Sequence, residues 1–358
     1  MRDSAMAAAG LAVGLGALGS QTAYADQAVR KTRSYNSDME YRRLGKTGLW
    51  VSVVCLGGHW KRIDKVVRLQ GKAGPGWQGA YLDDQAFRKN RYDVVSRCID
   101  VGINYIDACS GAEVLAYSTA LKGRRHKMYL GYSWYEYEMR FHPWRDSLAK
   151  MMEGLDKGLK NAGLDYIDFW RISMEIDTGR NQKDKEVEIA MEALAQAKKQ
   201  GKARFTGVSS HDRAWLKKAI EMYPQQMEAI CTPYTAKSKV LPQDSLFEAV
   251  RKYDVGVFGI KPFASNSLFK GDSSLDNPFA KEDDQRARLA IRYILCNPAI
   301  TAPIPGLVSI HQVENIVKAI KERRQLDRAE ARELEKAMDE AWAKLPANYQ
   351  WLKDWEHV

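Results

Sequence analysis

The residues of this 358-residue chain that could do chemistry sit at the ends of short apolar runs. Asp107 and Cys109 follow INYI, while Tyr132, Ser133 and Trp134 close KMYLGYSW. Arg171, Ser173 and Glu175 come at the end of DYIDFW, and Ser209, Ser210 and His211 at the end of ARFTGV. Lys261 closes VGVFGI, and His59 and Trp60 follow VCLGG. Carboxylate, guanidinium, ammonium and imidazole groups suit proton transfer and the binding of an anion or polyol. Arg171 and Ser173 lie two apart and so share one side of a strand. A buried Arg171 needs a carboxylate partner, and Asp107 is the obvious one. The pair is then either a structural clamp or part of an anionic or sugar-like substrate site. In the second case Arg171 and Lys261 donate, and Trp60 and Trp134 form a stacking wall beside His59 and His211. Cys109 reads as a small core residue or as a nucleophile with His211 as base. His59, His211, Asp107 and Cys109 are also ligand types for a metal, but their separation carries no ligand signature and no metal is assigned.

Eight β-rich runs would position these groups: residues 51–58, 103–109, 127–134, 165–173, 203–211, 227–234, 255–263 and 300–306. Amphipathic stretches with apolar i, i+3, i+4 spacing separate them, which predicts parallel strands joined by helices. Eight such units over about 270 residues fit a (β/α)8 TIM barrel. An open six-stranded Rossmann sheet is the runner-up, weakened because no G-x-G-x-x-G follows the first strand. YRRLGKTGLWVS, ahead of the first strand, reads as a hairpin turning at Gly45 and Gly48 and plugging the barrel bottom. Residues 59–85, rich in glycine with Trp60 and Trp77, form a lid candidate on the functional face. The domain reading is a signal segment at 1–25, a linker at 26–39, the barrel at 40–321 and a helical tail at 322–358. The tail aromatics Tyr349, Trp351 and Trp355 are expected to dock on the body.

Composition is that of an ordinary globular chain, with 45% hydrophobic and 28% charged residues. The five cysteines are odd in number and contain no CxxC pair, which argues against a zinc knuckle, an iron–sulfur cluster or a disulfide framework. Residues 4–25 carry no charge and end in Ala23-Tyr24-Ala25. That pattern predicts an export signal cleaved after Ala25, its modest hydrophobicity suiting a twin-arginine type, with an uncleaved N-terminal anchor as the alternative. No other window is long and apolar enough for a membrane span. The net charge of +10 is concentrated in residues 30–72, which hold eleven basic side chains against three acidic ones. Six of the eleven fall before or in the hairpin and five in the lid. Two groups at opposite ends of a barrel do not make one nucleic-acid groove, so the charge points to a small anionic ligand instead.

Six segments, YRRLGKTGLWVSVVCLGG, GINYIDA, LDYIDFWRIS, GKARFTGVSSH, GVFGIKPFASNSLFKG and IPGLVSIHQVENIVKAI, run in register from about residue 40 to 321. Together they resemble the aldo-keto reductase family. The resemblance implies a barrel that binds NAD(P)H extended across its C-terminal face. It also implies hydride transfer to a carbonyl, with a tyrosine proton donor tuned by a lysine, an aspartate and a histidine. On that pattern Asp107 is the one tetrad position retained. Ala112 stands at the tyrosine position, Ser133 at the lysine and Ser173 at the histidine. Tyr132, next to the vacated lysine position, is a substitute donor only if Lys261 lies close, because an unassisted phenol stays near pKa ~10. The resemblance carries the carboxamide-binding pair onto Ser209 and Ser210. It carries the pyrophosphate turn onto Ala264, Ser265, Asn266 and Ser267, with Gly306 nearby, and the adenine side onto Gln312, Glu314 and Asn315. Cys231 and Ile260 replace a glutamine and a stacking aromatic. Val308 replaces the basic residue that meets a 2′-phosphate, which favours NAD(H) over NADP(H); the absence of any cofactor stays open. Three functions are compatible: a divergent NAD(P)-dependent oxidoreductase, an inactive family member kept for binding or scaffolding, and a non-redox enzyme on a sugar-like or anionic substrate.

Overall fold

The computed structural model describes residues 27–70, 80–174, 183–238, 245–274 and 276–353. The signal segment, the four lid glycines, Trp77, Glu175 and Trp355 lie outside the described residues.

The chain opens with an antiparallel hairpin of β1 (Tyr41–Arg43) and β2 (Trp50–Ser52). Its turn runs through Gly45 and Gly48, both at positive φ. A Cβ on Gly45 would lie 2.3 Å from the backbone nitrogen of Gly256, so the turn seats directly under the sheet. Seven parallel strands follow in sequence order: β3 (Tyr105–Ala108), β4 (Tyr129–Tyr132), β5 (Ile167–Met174), β6 (Ala203–Ser210), β7 (Ala229–Pro233), β8 (Gly256–Ile260) and β9 (Ala302–Ile304). The eighth position is held by residues 55–57. Leu56 bridges Ile106 and Gly57 bridges Gly306, so these residues link β3 to β9 and close the circle. The expected first strand at 51–58 is therefore two short pieces, because its front half pairs with the hairpin instead.

A helix follows each barrel position: α1 (Gln85–Asp100), α2 (Gly111–Ala120), α3 (Leu148–Ala162), α4 (Asp184–Lys199), α5 (Arg213–Met222), α6 (Leu246–Lys252), α7 (Ala280–Leu295) and α8 (Ile310–Lys321). The starts are written locally. Asp84, Ser110, Ser147, Asp212 and Ser309 each accept from a backbone N–H of the first turn, satisfying donors that would otherwise be orphaned. This is the closed (β/α)8 TIM barrel that the alternation predicts.

Two apolar layers hold it. The outer one lies between strands and helices, and the inner one fills the barrel with Tyr105, Tyr129, Phe169, Cys231, Phe258 and Ile304 above Leu44, Leu49 and Val51 of the hairpin. Tyr105 stacks on Phe258 at 4.3 Å, and its hydroxyl needs the missing side chain of Gly131, where a Cβ would lie 1.7 Å away. After α8 comes α9 (Arg328–Ala343), tied to α7 by Arg292–Glu330 and Arg286–Glu340 ion pairs. The chain then runs through a helical turn at Ala347–Lys353 back over the barrel mouth, where Tyr349 and Leu352 pack with Ala264. No helix among the described residues is long and apolar enough to cross a membrane.

Candidate functional site

A cavity of about 910 Å³ opens at the C-terminal ends of the strands. Its floor is Asp107, Arg171, Ser173, Ser209 and Ile260. His59 and Lys61 enter from the first βα loop and Tyr349 and Trp351 from the tail. A groove continues past Ser265, Asn266 and Gly306 to Gln312 and Asn315 at the start of α8. Strand parity explains the floor. Tyr105 and Phe169 face inward in the core layer, so Asp107 and Arg171, two residues later, face inward one layer higher.

Asp107 and Arg171 form a bidentate pair, with Nε to Oδ1 at 2.6 Å and Nη2 bonded to Oδ2. Both are almost wholly buried. Burial pushes the Asp107 carboxyl up in spite of the guanidinium, while the carboxylate outweighs burial at Arg171 and keeps it charged. The partner expected for Arg171 is the partner found.

Ser133 and Ser173 are both bound by Glu138, a buried carboxylate just beyond β4. It accepts from Ser133 Oγ at 2.6 Å, Trp134 N at 2.8 Å, Trp170 Nε1 at 2.8 Å and Ser173 N at 3.4 Å. Burial pushes its carboxyl above the ordinary range, although these donors work against that.

Across the mouth, the basic groups gather around the tail. Lys61 Nζ reaches Tyr349 Oη at 3.2 Å and Ser265 Oγ at 3.0 Å. Lys261 Nζ lies 3.1 Å from His211 Nε2 and 5.9 Å from the centre of the Tyr349 ring. The His211 ring stacks on Trp351 at 4.1 Å. Burial raises the phenol of Tyr349, but Lys261, the Ser265 hydroxyl and Lys61 outweigh it and hold it below the ordinary tyrosine value. Burial in turn pulls the Lys261 ammonium down.

Beside the floor, His59 Nδ1 is 2.8 Å from Glu113 Oε1, and Cys109 Sγ lies 3.6 and 3.7 Å from the two ring nitrogens of His59. The histidine against Cys109 is therefore His59, while His211 is engaged with Lys261 and Trp351. Glu113 is fully buried and also accepts the backbone N–H groups of Cys109 and His59. Burial raises its carboxyl, and His59 with the two amides more than offsets this.

Other expected site residues lie elsewhere. Tyr132 is fully buried on the helix side of β4, packed edge-on to Trp134, with its phenol pushed up by burial. Trp134 rests against Gly158 of α3, and Trp60 is sealed among Phe87, Arg91 and Tyr117. Neither tryptophan lines the cavity, so the stacking wall is absent and Trp351 supplies the aromatic face instead. Ser210 also points away from the cavity and accepts from Asp212 N, whereas Ser209 lines it. In the 264–267 turn, Ser265 and Asn266 line the groove, Ala264 packs under the tail, and Ser267 lies outside it. Glu314 turns outward to Arg97. Gln312 accepts from Val308 N, and the Asn315 amide is engaged by Arg288 and the Asp284 carbonyl. Cys55, Cys98 and Cys231 are buried core residues and Cys296 is exposed; all five cysteines are free.

Glu113, Glu138, Lys61 and Tyr349 were not singled out as site residues by the sequence. For Glu113 a signal was present: Ser110-Gly-Ala-Glu113 is a capping-box pattern that puts this carboxylate in the first turn beside Cys109.

A model described as the Aldo/keto reductase family matches residues 71–339. Two uncharacterized oxidoreductases of Bacillus subtilis (strain 168) are similar. YqkF is 23% identical, over 64% of this chain and 82% of its own. YrpG is 24% identical, over 79% of this chain and 91% of its own. Among solved structures, the holo form of aldo-keto reductase AKR11C1 from Bacillus halodurans superposes with a TM-score of 0.59 at 21% identity, covering 84% of this chain and 96% of that one. An aldo-keto reductase from Klebsiella pneumoniae in complex with NADPH gives 0.61 at 18% identity, covering 83% and 94%. With that span, and with six sequence segments in register on a closed barrel, the chain belongs to the aldo/keto reductase family.

Proposed function

We propose that this chain is a nicotinamide-dependent oxidoreductase interconverting a carbonyl and an alcohol, in which Tyr349 has taken over proton donation. The observation that carries the reading is the contact of the Tyr349 hydroxyl with Lys61, next to Lys261, in the cavity. A phenol hydrogen-bonded to an ammonium supplies what carbonyl reduction requires: an acid poised below the ordinary phenol value and able to meet developing negative charge on oxygen. Here the cation comes from the first loop and the tyrosine from the tail.

The groove fits an extended dinucleotide at its outer end. Lys61, Ser265 and Asn266 present one ammonium and two polar side chains where a pyrophosphate would lie, and α8 presents its N-terminus beyond. Ser209 is the group left for the carboxamide. Bound there, the cofactor would supply hydride. The adenosine end carries Val308 and the acidic pair Asp283 and Asp284, the latter held by His311. That arrangement disfavours a 2′-phosphate and supports NAD over NADP. Arg140 and Lys261 around the floor suit an anionic substrate.

The competing reading, a family member that binds without turnover, draws on Trp351 stacked over His211 at the inner end of the groove. Titration with NADH followed by fluorescence tests cofactor binding, and turnover of a carbonyl then separates the two readings. Saturable binding that Lys61→Ala weakens supports the redox reading, and no signal at millimolar NADH sinks it. If binding holds, Tyr349→Phe should lower the carbonyl-reduction rate ~10²–10⁴-fold. A general acid must be protonated, so the wild-type rate should fall as pH rises through the lowered phenol pKa, and the Phe variant should lose that limb. We also propose export with cleavage after Ala25, on the uncharged run ending Ala-Tyr-Ala. N-terminal sequencing of the mature protein checks it.

A further inference from the structure

We propose that His59, Cys109 and Glu113 form a divalent-metal site of zinc type whose open coordination position faces the cavity and takes a hydroxyl, carbonyl or carboxylate oxygen. The site is built by three elements. His59 follows the first barrel position at a positive φ of 61°, Cys109 comes directly after β3, and Glu113 sits in the first turn of α2. Gly58 permits the approach, because a Cβ there would lie 2.2 Å from the Glu113 carboxyl carbon. Each residue offers one ligand atom, and the three lie within 4.8 Å of one another.

The spacing is close to what a zinc shell needs. With Zn–S of ~2.3 Å and Zn–N and Zn–O of ~2.0–2.1 Å in a tetrahedron, nitrogen and sulfur stand roughly 3.5 Å apart and nitrogen and oxygen roughly 3.3 Å. The ring-to-sulfur distances are 3.6 and 3.7 Å. The Nδ1–Oε1 distance is 2.8 Å, so the ion would replace that hydrogen bond by parting the two atoms about half an ångström. A mixed N, S and O donor set selects zinc over magnesium or calcium, which take oxygen. A thiolate and a carboxylate also balance the charge of a divalent ion. The nearly equal sulfur distances leave Sγ off the lone-pair line of both ring nitrogens, so the imidazole must turn to face an ion shared with the thiolate. Three protein ligands leave a fourth position, and all three residues line the cavity with Arg140 and Lys261. The oxygen bound there would belong to an anionic hydroxy or oxo compound; this assignment of substrate rests on the oxidoreductase reading, whereas the metal site does not.

The test uses the full mature chain stripped by a chelator and titrated with Co²⁺, then with Zn²⁺ in competition, without nucleotide. One equivalent should bind with a thiolate-to-cobalt absorption band. Glu113 holds two backbone amides and its loss risks misfolding, so Cys109→Ser and His59→Gln carry the test, with Cys296→Ser as control. Cys109→Ser should abolish the band, and each of the two variants should weaken Zn²⁺ by ~100-fold or more. The control should bind as wild type. No saturable thiolate band in the wild type, or variants that bind like it, overturns the site. Acetohydroxamate, an oxygen-donor probe, should shift the cobalt spectrum; a spectrum it leaves unmoved overturns the open position. NADH titration of the same stripped protein reads the oxidoreductase proposal separately, so either proposal can fail alone.

Discussion

Replacing the buried pair on the barrel floor distinguishes a clamp from an anion site. Arg171 and Asp107 are held by two hydrogen bonds and are almost wholly buried. Two unit charges ~4 Å apart at an effective dielectric of ~20 attract by about 4 kcal/mol. Arg171→Met therefore strands a buried carboxylate, and Asp107→Leu strands a buried guanidinium. Each should cost ~3–5 kcal/mol, the range for removing one partner of a buried ion pair. The double variant fills the same space with apolar side chains and removes both desolvation costs. It should return to within ~2 kcal/mol of the wild type, giving a coupling energy of at least ~3 kcal/mol. Urea unfolding followed by tryptophan fluorescence measures all four proteins, with the slope checked for constancy. Single variants within ~1 kcal/mol of wild type, or a double variant no more stable than the worse single, would refute the clamp.

Gly158→Ala would normally stabilise a helix interior by up to ~1 kcal/mol. Here its Cβ would lie 2.5 Å from the Trp134 ring, so a net loss of ~1–3 kcal/mol and a lower Tm are expected. The Arg292–Glu330 pair sets an acid limit on docking of α9. The Glu330 pKa is lowered from 4.5 to about 2, chiefly by its bonds to Arg292. A carboxylate depressed on folding contributes its stability in full above 4.5 and loses it as pH falls toward 2. Acid titration of Tm should therefore show a limb in that window that Glu330→Gln flattens.

How far the site was legible follows from parity and distance along the chain. Asp107 and Arg171 could be paired from sequence because each lies two residues beyond an aromatic of the core layer, on strands of unambiguous register. The same rule, applied to β4, would have excluded Tyr132 and Trp134. Tyr129 and Gly131 face inward, so Ser133 shares their side, and Tyr132 and Trp134 must face the helices. Ser209 and Ser210 divide in the same way. Trp60 has no strand parity to read, and its burial depends on Phe87 of α1 and Tyr117 of α2. Tyr349 and Lys61 were out of reach for a different reason: 288 residues separate them, and only the path of the tail brings them together. The described members of the basic groups at residues 30–46 and 61–68 fall at opposite barrel ends, and Lys72 lies outside the described residues. Arg43 pairs with Asp254 below the sheet and Lys61 sits at the mouth.

If residues 112 and 133 depart from the family pattern as the resemblance implies, restoring the family side chains there should fail, because their surroundings are already committed. Ser133 is fully buried and donates to Glu138, whose carboxylate also holds Trp134 and Trp170. A lysine placed at 133 would find this carboxylate first. An ammonium paired with a buried, hydrogen-bonded carboxylate is not available to lower the pKa of a tyrosine, since its field is largely cancelled. Asp107, which the pattern would use to fix that lysine, is already committed to Arg171. A combined Ala112→Tyr and Ser133→Lys variant should thus show no more than a few-fold change in reduced-nicotinamide consumption across a panel of aldehydes. A gain of ~100-fold would mean that the barrel floor still supports a family-type site and that the tail tyrosine is not the proton donor. Little or no gain, together with a large loss in Tyr349→Phe, would locate proton donation on the tail side of the mouth, where Lys61 and Lys261 already stand.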